Sequence, residues 1–293
     1  MAGLGRGLAG RALSGAGLAA LASLSLLAGG GAAAAGCGPE PGEACNLTGG
    51  SYHIVLPEVA EAAQPGPAVL FLHGYGGSGA GALANQAMVN GLTARGYAVI
   101  APDALPRRGG PRSWTFFPGW QGRDEIAFLQ EVAADAAGRF DLDRDTMILA
   151  GFSAGGFMVN YLACAAPTAF AGYAPIAGGF WRPQPADCAG EIRLFHSHGW
   201  MDSVVPLEGR YLNGGQFQQG DIFAGLELWR DTNGCDDHAP DQGWRAGDVL
   251  RRRWDCGAGA DIEFLLFPGG HQVPRWWSDQ LLDWFEALPP KAG

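Results

Sequence analysis

The stretch that decides the fold runs over Thr146–Ala165 and reads TMILAGFSAGGFMVNYLACA. An apolar strand over Thr146–Ala150 leads into GFSAG, and a helix over Ala154–Ala165 follows at once. G-x-S-x-G between a strand and a helix describes a sharp turn that lifts a serine hydroxyl above the edge of a sheet. Helix N-termini also favour negative charge. The stretch predicts Ser153 as a nucleophile, and the alternative is a serine that only caps the helix.

Alternating apolar runs and amphipathic segments surround this turn. Further strands are predicted at Ser51–Leu56, Ala68–Leu72, Ala98–Ala101, Ile192–Phe195 and Ile262–Phe267. Further helices are predicted at Ala80–Arg95, Arg123–Arg139, Asp221–Thr232 and Ser278–Leu288. This alternation is typical of an α/β domain with a mostly parallel central sheet and helices on both faces.

The partners that a serine nucleophile needs follow two later strands. Asp202 comes in the loop after one strand, and His271 comes in a glycine-flanked loop after the last. A nucleophilic serine requires a base, and the base requires an orienting carboxylate. We therefore predict Ser153 as nucleophile, Asp202 as acid and His271 as base. His196 and His198 are competing bases, although a structural role or a weak metal pair also suits them.

A glycine-rich turn, HGYGGSG over His73–Gly79, follows the strand AVLFL. Acyl transfer needs two backbone N–H donors for the oxyanion. We predict Ala154 as one donor and Tyr75, or Gly76, as the other. A phosphate-binding loop is the rival interpretation, but the turn has no lysine or GK[ST] sequence.

Composition excludes several classes of protein. Apolar residues make up 47% of the 293 residues and charged residues 16%, so the chain is neither disordered nor a coiled coil. The net charge of −10 repels phosphates, and no nucleic-acid partner is expected. No CxxC occurs and the histidines are scattered, so neither a metal site nor a cofactor is expected.

Residues 1–36 have the pattern of a secretory signal segment. Arg6 and Arg11 precede an apolar run over Leu18–Leu27, and small residues including Ala33–Ala35 follow. We predict cleavage near residue 36, a single domain over 37–293, an extracellular or periplasmic location and no stable membrane insertion. The alternatives are a retained membrane anchor and lipid attachment at Cys37.

All six cysteines follow this segment. An even number in an exported chain favours disulfides, for which 15 connectivities exist. Sequential pairing is favoured, joining Cys37 to Cys45, Cys164 to Cys188 and Cys235 to Cys256.

Tryptophans near the predicted site suggest an aromatic wall for the substrate. The candidates are Trp114, Trp120, Trp200 and Trp276. The alternative for each of them is a place in the core.

Several motifs together resemble the α/β-hydrolase fold, and specifically secreted polyhydroxybutyrate depolymerase-type and feruloyl esterases. They are LHGYGGSG (72–79), APD (101–103), GFSAGG (151–156), HGWMDSVVP (198–206), NGC (233–235) and PGGH (268–271). The resemblance covers Cys37–Leu288 and implies the same Ser153, Asp202 and His271 roles. The sequence departs from the family at Trp200 and after His271, which affects the substrate and not the three catalytic residues.

The resemblance implies a secreted serine esterase that acts through an acyl-enzyme on short polyesters or 3-hydroxybutyrate oligomers. The chain ends at Gly293 without room for a polymer-binding module, which favours small or oligomeric esters. The alternatives are a feruloyl or acetyl xylan esterase, a serine peptidase of the same fold and a catalytically silent binding protein.

Overall fold

A mixed sheet forms the centre of the fold. The computed structural model describes residues 34–35, 37, 42–58, 65–107 and 109–289, and these belong to one compact unit. The strands are β1 Ala34–Ala35, β2 Cys45–Leu47, β3 Gly50–Val55, β4 Ala68–Leu72, β5 Ala98–Pro102, β6 Ile148–Phe152, β7 Gly172–Ile176, β8 Trp181–Arg182, β9 Leu194–Gly199, β10 Arg210–Leu212, β11 Phe217–Gln219, β12 Gln242–Ala246, β13 Val249–Trp254 and β14 Ile262–Phe267. Among the described residues, eleven of these strands form the central sheet, and β8, β10 and β11 form a second, small sheet.

The order of the strands creates a crevice at the carboxyl ends of the parallel strands. The order is β1-β3-β5-β4-β6-β7-β9-β14-β13-β12, with β2 paired to β3. The six strands from β5 to β14 in this order run parallel. The chain passes from β4 to β5 on one side and then to β6 on the other side of β4. Ligands bind at such a reversal, outside the carboxyl ends of the strands.

Helices cover both faces of the sheet. They are α1 Gly79–Leu83, α2 Gln86–Thr93, α3 Glu125–Phe140, α4 Ala154–Ala165, α5 Ile222–Thr232 and α6 Trp277–Glu286. Leu70 and Leu72 of β4 pack into the core that α3, α4 and α5 cover. Val69 and Phe71 pack into the core that α2 and α6 cover. The alternation of side chains along a strand explains why β4 is apolar throughout.

Helix α3 shows how the sequence specifies these elements. Phe128, Val132 and Ala136 recur at four-residue intervals and are buried. The Asp124 carboxylate accepts a hydrogen bond of 3.0 Å from the N–H of Ala127, which satisfies one of the unpaired donors at the helix start.

The predicted fold class is confirmed, and each of the six predicted strands overlaps an observed strand. The single helix predicted over Ala80–Arg95 is wrong. Two helices stand there, because the Asn85 side chain accepts a hydrogen bond of 3.3 Å from the N–H of Met88 and begins a second helix. The strands β7, β8, β10 and β11 and the hairpin β12–β13 were not predicted.

Three disulfides join Cys37 to Cys45, Cys164 to Cys188 and Cys235 to Cys256. The described residues include no free cysteine. Because the Cys37 thiol is bonded to Cys45, it is not available for the alternative of lipid attachment. The predicted signal segment and its boundary at residue 36 lie outside the described residues. None of the helices that the structure describes is long and apolar enough to cross a bilayer.

A buried asparagine ties three segments together near the third disulfide. The Asn233 amide accepts a hydrogen bond from the Ile192 N–H (3.0 Å) and donates to the carbonyls of Ile192 and Ala260 (2.8 Å each). Asn233 is fully buried. Its side chain therefore satisfies backbone groups that no water reaches.

Replacing Asn233 with alanine should lower the free energy of unfolding by about 3 kcal/mol, because buried backbone groups lose their partners. Urea denaturation of the disulfide-intact protein measures this loss. Asn90→Ala, at an exposed position of α2, should change the same quantity by less than about 0.5 kcal/mol. Equal effects of the two substitutions would contradict the role assigned to Asn233.

Candidate active site

Ser153 stands at the sharp turn between β6 and α4. Its backbone has φ 57° and ψ −116°, a conformation that costs energy for any residue with a side chain. Its N–H donates to the carbonyl of Ile176 at the end of β7, at 2.9 Å. The turn holds the Ser153 hydroxyl at the carboxyl edge of the sheet, at the start of a helix whose dipole favours negative charge.

Two glycines permit this turn by close backbone approach. A Cβ atom at Gly155 would lie 2.2 Å from the carbonyl oxygen of Leu72, and one at Gly151 would lie 2.6 Å from the backbone of Gly155. Helix α4 thus starts in direct contact with the end of β4. These two contacts explain why the positions two residues before and two residues after Ser153 are glycine.

Gly155→Ala should lower the free energy of unfolding by about 3 kcal/mol or more, at the upper end of overpacking costs, because the new methyl group meets backbone atoms that have no room to move. Chemical denaturation measures the change.

Gly138→Ala is the matched control, since Gly138 lies on the exposed side of α3 with no atom within 4 Å of an added Cβ. This substitution should instead stabilise the protein by about 0.5–1 kcal/mol. A Gly155→Ala variant as stable as the unaltered protein would contradict the close approach.

Ser153, His271 and Asp202 form one hydrogen-bonded chain. The Ser153 Oγ lies 2.8 Å from His271 Nε2, and His271 Nδ1 lies 2.7 Å from Asp202 Oδ2. The His271 ring also packs on the ring of Phe152, with 4.6 Å between their centroids. The structure therefore brings together the three residues that the sequence predicted, in the geometry of a nucleophile, a base and an orienting carboxylate.

The loops that carry Asp202 and His271 pack against each other. Strands β9 and β14 are parallel neighbours, so the loops that follow them meet at the same edge. A Cβ atom at Gly199, the last residue of β9, would lie 2.3 Å from the carbonyl oxygen of Gly270. The N–H of Met201 donates to the carbonyl of Gly269 at 2.9 Å. These contacts fix the distance between the carboxylate and the imidazole.

Asp202 is held as a carboxylate. Its Oδ1 accepts hydrogen bonds from the N–H groups of Val204 (2.9 Å) and Val205 (2.8 Å). Burial alone would raise the pKa of Asp202, but the hydrogen bonds from His271 and from these backbone groups outweigh burial and lower the pKa below its usual value. The side chain therefore stays charged and orients the imidazole.

His196 and His198, the competing bases, lie inside the fold. His196 Nε2 and His198 Nδ1 are 3.3 Å apart, and His198 Nε2 donates to the carbonyl of Val205 at 2.8 Å. Burial lowers the pKa of both rings, and that of His196 falls well below its usual value. The pair therefore supports the loop around Asp202 as neutral rings.

A neutral buried histidine makes stability depend on pH. Below the unfolded pKa of about 6.5, the unfolded chain binds a proton at His196 that the folded protein does not. From pH 7.5 to 5, the stability of His196→Phe relative to the unaltered protein should therefore rise, by at most about 1.4 kcal/mol per pH unit. Denaturant unfolding at each pH measures this difference.

Asn90→Ala is the control, because this substitution at an exposed position of α2 removes no titratable group. Its difference in stability from the unaltered protein should stay constant over the same range. A constant difference for His196→Phe as well would show that His196 does not change its proton affinity on folding.

Two residues that line the cleft with Ser153 have backbone N–H groups available as donors. Among the described residues, the N–H groups of Tyr75 and Ala154 donate to no other group, and both residues line the cleft. The N–H of Gly76 donates to the carbonyl of Arg112 at 2.8 Å. Of the two predicted alternatives, Gly76 is thus already engaged, and Tyr75 keeps a donor available.

His73 stabilises the glycine-rich turn from below. Its Nδ1 donates to the carbonyl of Gly74 at 2.7 Å, and its Nε2 accepts from the N–H of Ala104 at 3.1 Å. Its carbonyl accepts from Trp114 Nε1 at 2.8 Å. Burial lowers the pKa of His73, which suits a neutral ring with these two hydrogen bonds.

The cleft next to Ser153 has a volume of about 700 Å³ and a wall of aromatic rings. Tyr75 lines it, and five further rings form one group there: Phe116, Trp120, Phe157, Trp181 and Phe217. They contact one another, with centroid distances of 5.1 Å between Trp120 and Trp181 and 5.5 Å between Trp181 and Phe217. Such a wall provides flat apolar surface for a ring or an aliphatic chain.

Of the four tryptophans predicted to bind substrate, only Trp120 lines this cleft. Trp114 is fully buried and bonded to the turn at His73, so its prediction is wrong. Trp200 is 61% exposed, and Trp276 packs on Phe267 at 5.8 Å. Both lie outside the cleft lining.

Several residues of the cleft were not found from the sequence. Phe217 and Arg210 come from the small sheet, and Arg107 comes from the loop after β5. The strands of the small sheet are two or three residues long, too short to show an alternating pattern. The sequence could have indicated Phe157, because it lies one helical turn after Ser153 and therefore on the same side of α4. Within the described residues, no cluster of His, Cys, Asp or Glu side chains is suited to hold a metal ion.

The chain is similar in sequence to fungal feruloyl esterases, while no protein-family model matches it. It is 26% identical over 261 residues to a probable feruloyl esterase C of Aspergillus terreus, covering 85% of this chain and 87% of the relative. It is also 26% identical over 257 residues to feruloyl esterase C of Emericella nidulans, covering 82% and 84%.

Solved structures share the fold. An acetyl xylan esterase from Aspergillus awamori superimposes with a TM-score of 0.60 at 17% identity, covering 82% of this chain and 95% of that one. The esterase PE8 gives a TM-score of 0.51 at 19% identity, covering 82% and 98%.

The sheet order, the strand–turn–helix at Ser153 and these structural neighbours show that the chain has the α/β-hydrolase fold. The sequence similarity to esterases over most of the chain supports a carboxylic ester hydrolase.

Proposed function

We propose that Ser153 attacks an ester carbonyl while His271 accepts the proton of its hydroxyl. The distance of 2.8 Å between Ser153 Oγ and His271 Nε2 supports this transfer, because the proton moves directly along a single hydrogen bond. Asp202 holds the Nδ1–H tautomer of His271 and stabilises the imidazolium that forms. This hydrogen-bonded chain is the single observation that carries the proposal.

The oxyanion of the tetrahedral intermediate rests on the N–H groups of Tyr75 and Ala154. Within the described part of the chain neither group donates to another acceptor, and both residues line the cleft together with Ser153, which supports this role. The helix dipole of α4 adds to their effect, because Ala154 is the first residue of that helix.

The alcohol then leaves with the proton that His271 carries, and an acyl-enzyme remains on Ser153. Water attacks the acyl group in the second half, with His271 again as the base, and the free acid is released. These steps use only groups of this chain and water.

An aromatic acyl group suits the cleft best. Five contacting rings line the wall next to Ser153, and relatives of the chain are named feruloyl esterases. Both observations favour hydroxycinnamoyl esters as substrates. Oligomers of 3-hydroxybutyrate are the second candidate, since an apolar wall also accommodates a short aliphatic polyester.

The enzyme is proposed to act outside the cytoplasm. Three disulfides support this location, because such bonds persist in oxidising compartments.

The test compares acid release from a feruloylated sugar and from 3-hydroxybutyrate oligomers by the disulfide-intact protein. Ser153→Ala should lower kcat for the hydrolysed ester by about 10⁶-fold, because the nucleophile is missing and only binding and the oxyanion donors remain. A fluorophosphonate probe should label the unaltered protein at Ser153 and leave Ser153→Ala unlabelled.

Thermal unfolding of Ser153→Ala, together with its circular dichroism, shows that the variant is folded. Turnover of the oligomer alone would replace the hydroxycinnamoyl assignment by the second candidate. Labelling at a different residue, or equal activity of Ser153→Ala, would refute the proposed mechanism.

A further inference from the structure

The small sheet turns one of its faces towards the cleft. Arg210 pairs with Gln219, and Gln219 pairs with Trp181, so these three residues form one row across β10, β11 and β8. Residues directly opposite each other project to the same side of a sheet. All three line the cleft, whereas the neighbouring Tyr211 points to the other side and is 68% exposed.

The side chain of Arg210 is exposed, and one hydrogen bond joins it to this row. Its Nε donates to Gln219 Oε1 at 3.2 Å, and Gln219 itself is buried. Among the described residues, the terminal nitrogens of Arg210 contact no acceptor. A guanidinium held at Nε presents its two terminal N–H groups in a planar fork, which matches the two oxygens of a carboxylate.

A second guanidinium lies on the aromatic wall. The Cζ atom of Arg107 is 3.7 Å from the centre of the Trp120 ring, and Trp120 contacts Trp181 in the row of Arg210. The two arginines therefore flank the same group of rings.

The charge of the cleft is opposite to that of the protein. Its described lining contains Arg107 and Arg210 but no aspartate or glutamate, although the whole chain has a net charge of −10. A cleft with one sign of charge and apolar walls concentrates ligands of the opposite sign. A neutral ester gains nothing from this arrangement.

We propose that Arg210, assisted by Arg107, forms a subsite for a carboxylate on the substrate. The substrate class is then an ester with a ring or short chain against the aromatic wall and a carboxylate on its acyl or its alcohol part. This inference rests on the proposed function, because it assigns a charge to the ester that Ser153 attacks.

The experiment uses two pairs of esters that differ only in charge. In the first pair the alcohol part varies, as feruloyl glycolate against feruloyl glycolamide. In the second pair the acyl part varies: one compound is the 4-nitrophenyl monoester of glutaric acid, and the other is the 4-nitrophenyl ester of glutaric acid half-amide. At low ionic strength, kcat/KM for the anionic member of at least one pair should exceed that of the neutral member by about 10-fold.

Arg210→Met should remove most of this preference, because it lowers kcat/KM for the anionic member by about 10-fold more than kcat/KM for the neutral member. The matched control is Arg245→Met, which removes the same charge from exposed strand β12, and it should keep the full preference. Added salt should reduce the preference in the unaltered protein.

Equal kcat/KM within both pairs would overturn the subsite and leave ester hydrolysis intact. A preference that survives Arg210→Met and Arg107→Met would overturn the assignment to these arginines. If the protein hydrolyses none of the four esters and does not hydrolyse 4-nitrophenyl acetate, and if the fluorophosphonate probe does not label it, the proposed function is rejected instead.

Discussion

The contact between helix α4 and the end of strand β4 is the constraint on which the site depends. A Cβ atom at Gly155 would lie 2.2 Å from the carbonyl oxygen of Leu72, so the helix begins directly on the sheet. The chain has only one residue, Ser153, in which to turn from strand to helix, and it takes up φ 57°. The cost of this conformation is offset by the surrounding packing, because both neighbouring elements are buried. The proposed nucleophile and the donor at Ala154 are thereby placed at the crevice where the strand order reverses.

The proposed acid and base depend on the same sheet in a different way. Asp202 and His271 belong to loops after two parallel neighbours, β9 and β14, and the loops are in contact through Gly199 and Gly270. The buried pair of neutral histidines lies under the acid loop and supports it through the carbonyl of Val205. Hydrogen bonds of 2.7 and 2.8 Å along the chain from Asp202 to Ser153 follow from this backbone packing more than from the three side chains themselves.

Substrate recognition is assigned to parts outside the central sheet. The turn after β4 contributes Tyr75, the loop after β5 contributes Arg107 and Trp120, and the small sheet contributes Trp181, Arg210 and Phe217. Connecting segments of this kind are generally more variable among proteins than the sheet that they connect. The same frame therefore suits different esters, and the charges and rings at its edge decide between them.

The sequence by itself determined the fold class and the set Ser153, Asp202 and His271. It did so because buried strands are continuous apolar runs and because parallel strands bring their following loops to one edge. Tertiary structure alone decided the composition of the cleft. Trp114 and Trp120 have similar local surroundings in the sequence, yet Trp114 is fully buried at the turn of His73 and Trp120 lines the cleft. The strands of the small sheet are too short for a pattern, and Arg210 reaches the site only through their register. Burial and register of this kind depend on contacts between distant segments, which no local pattern records.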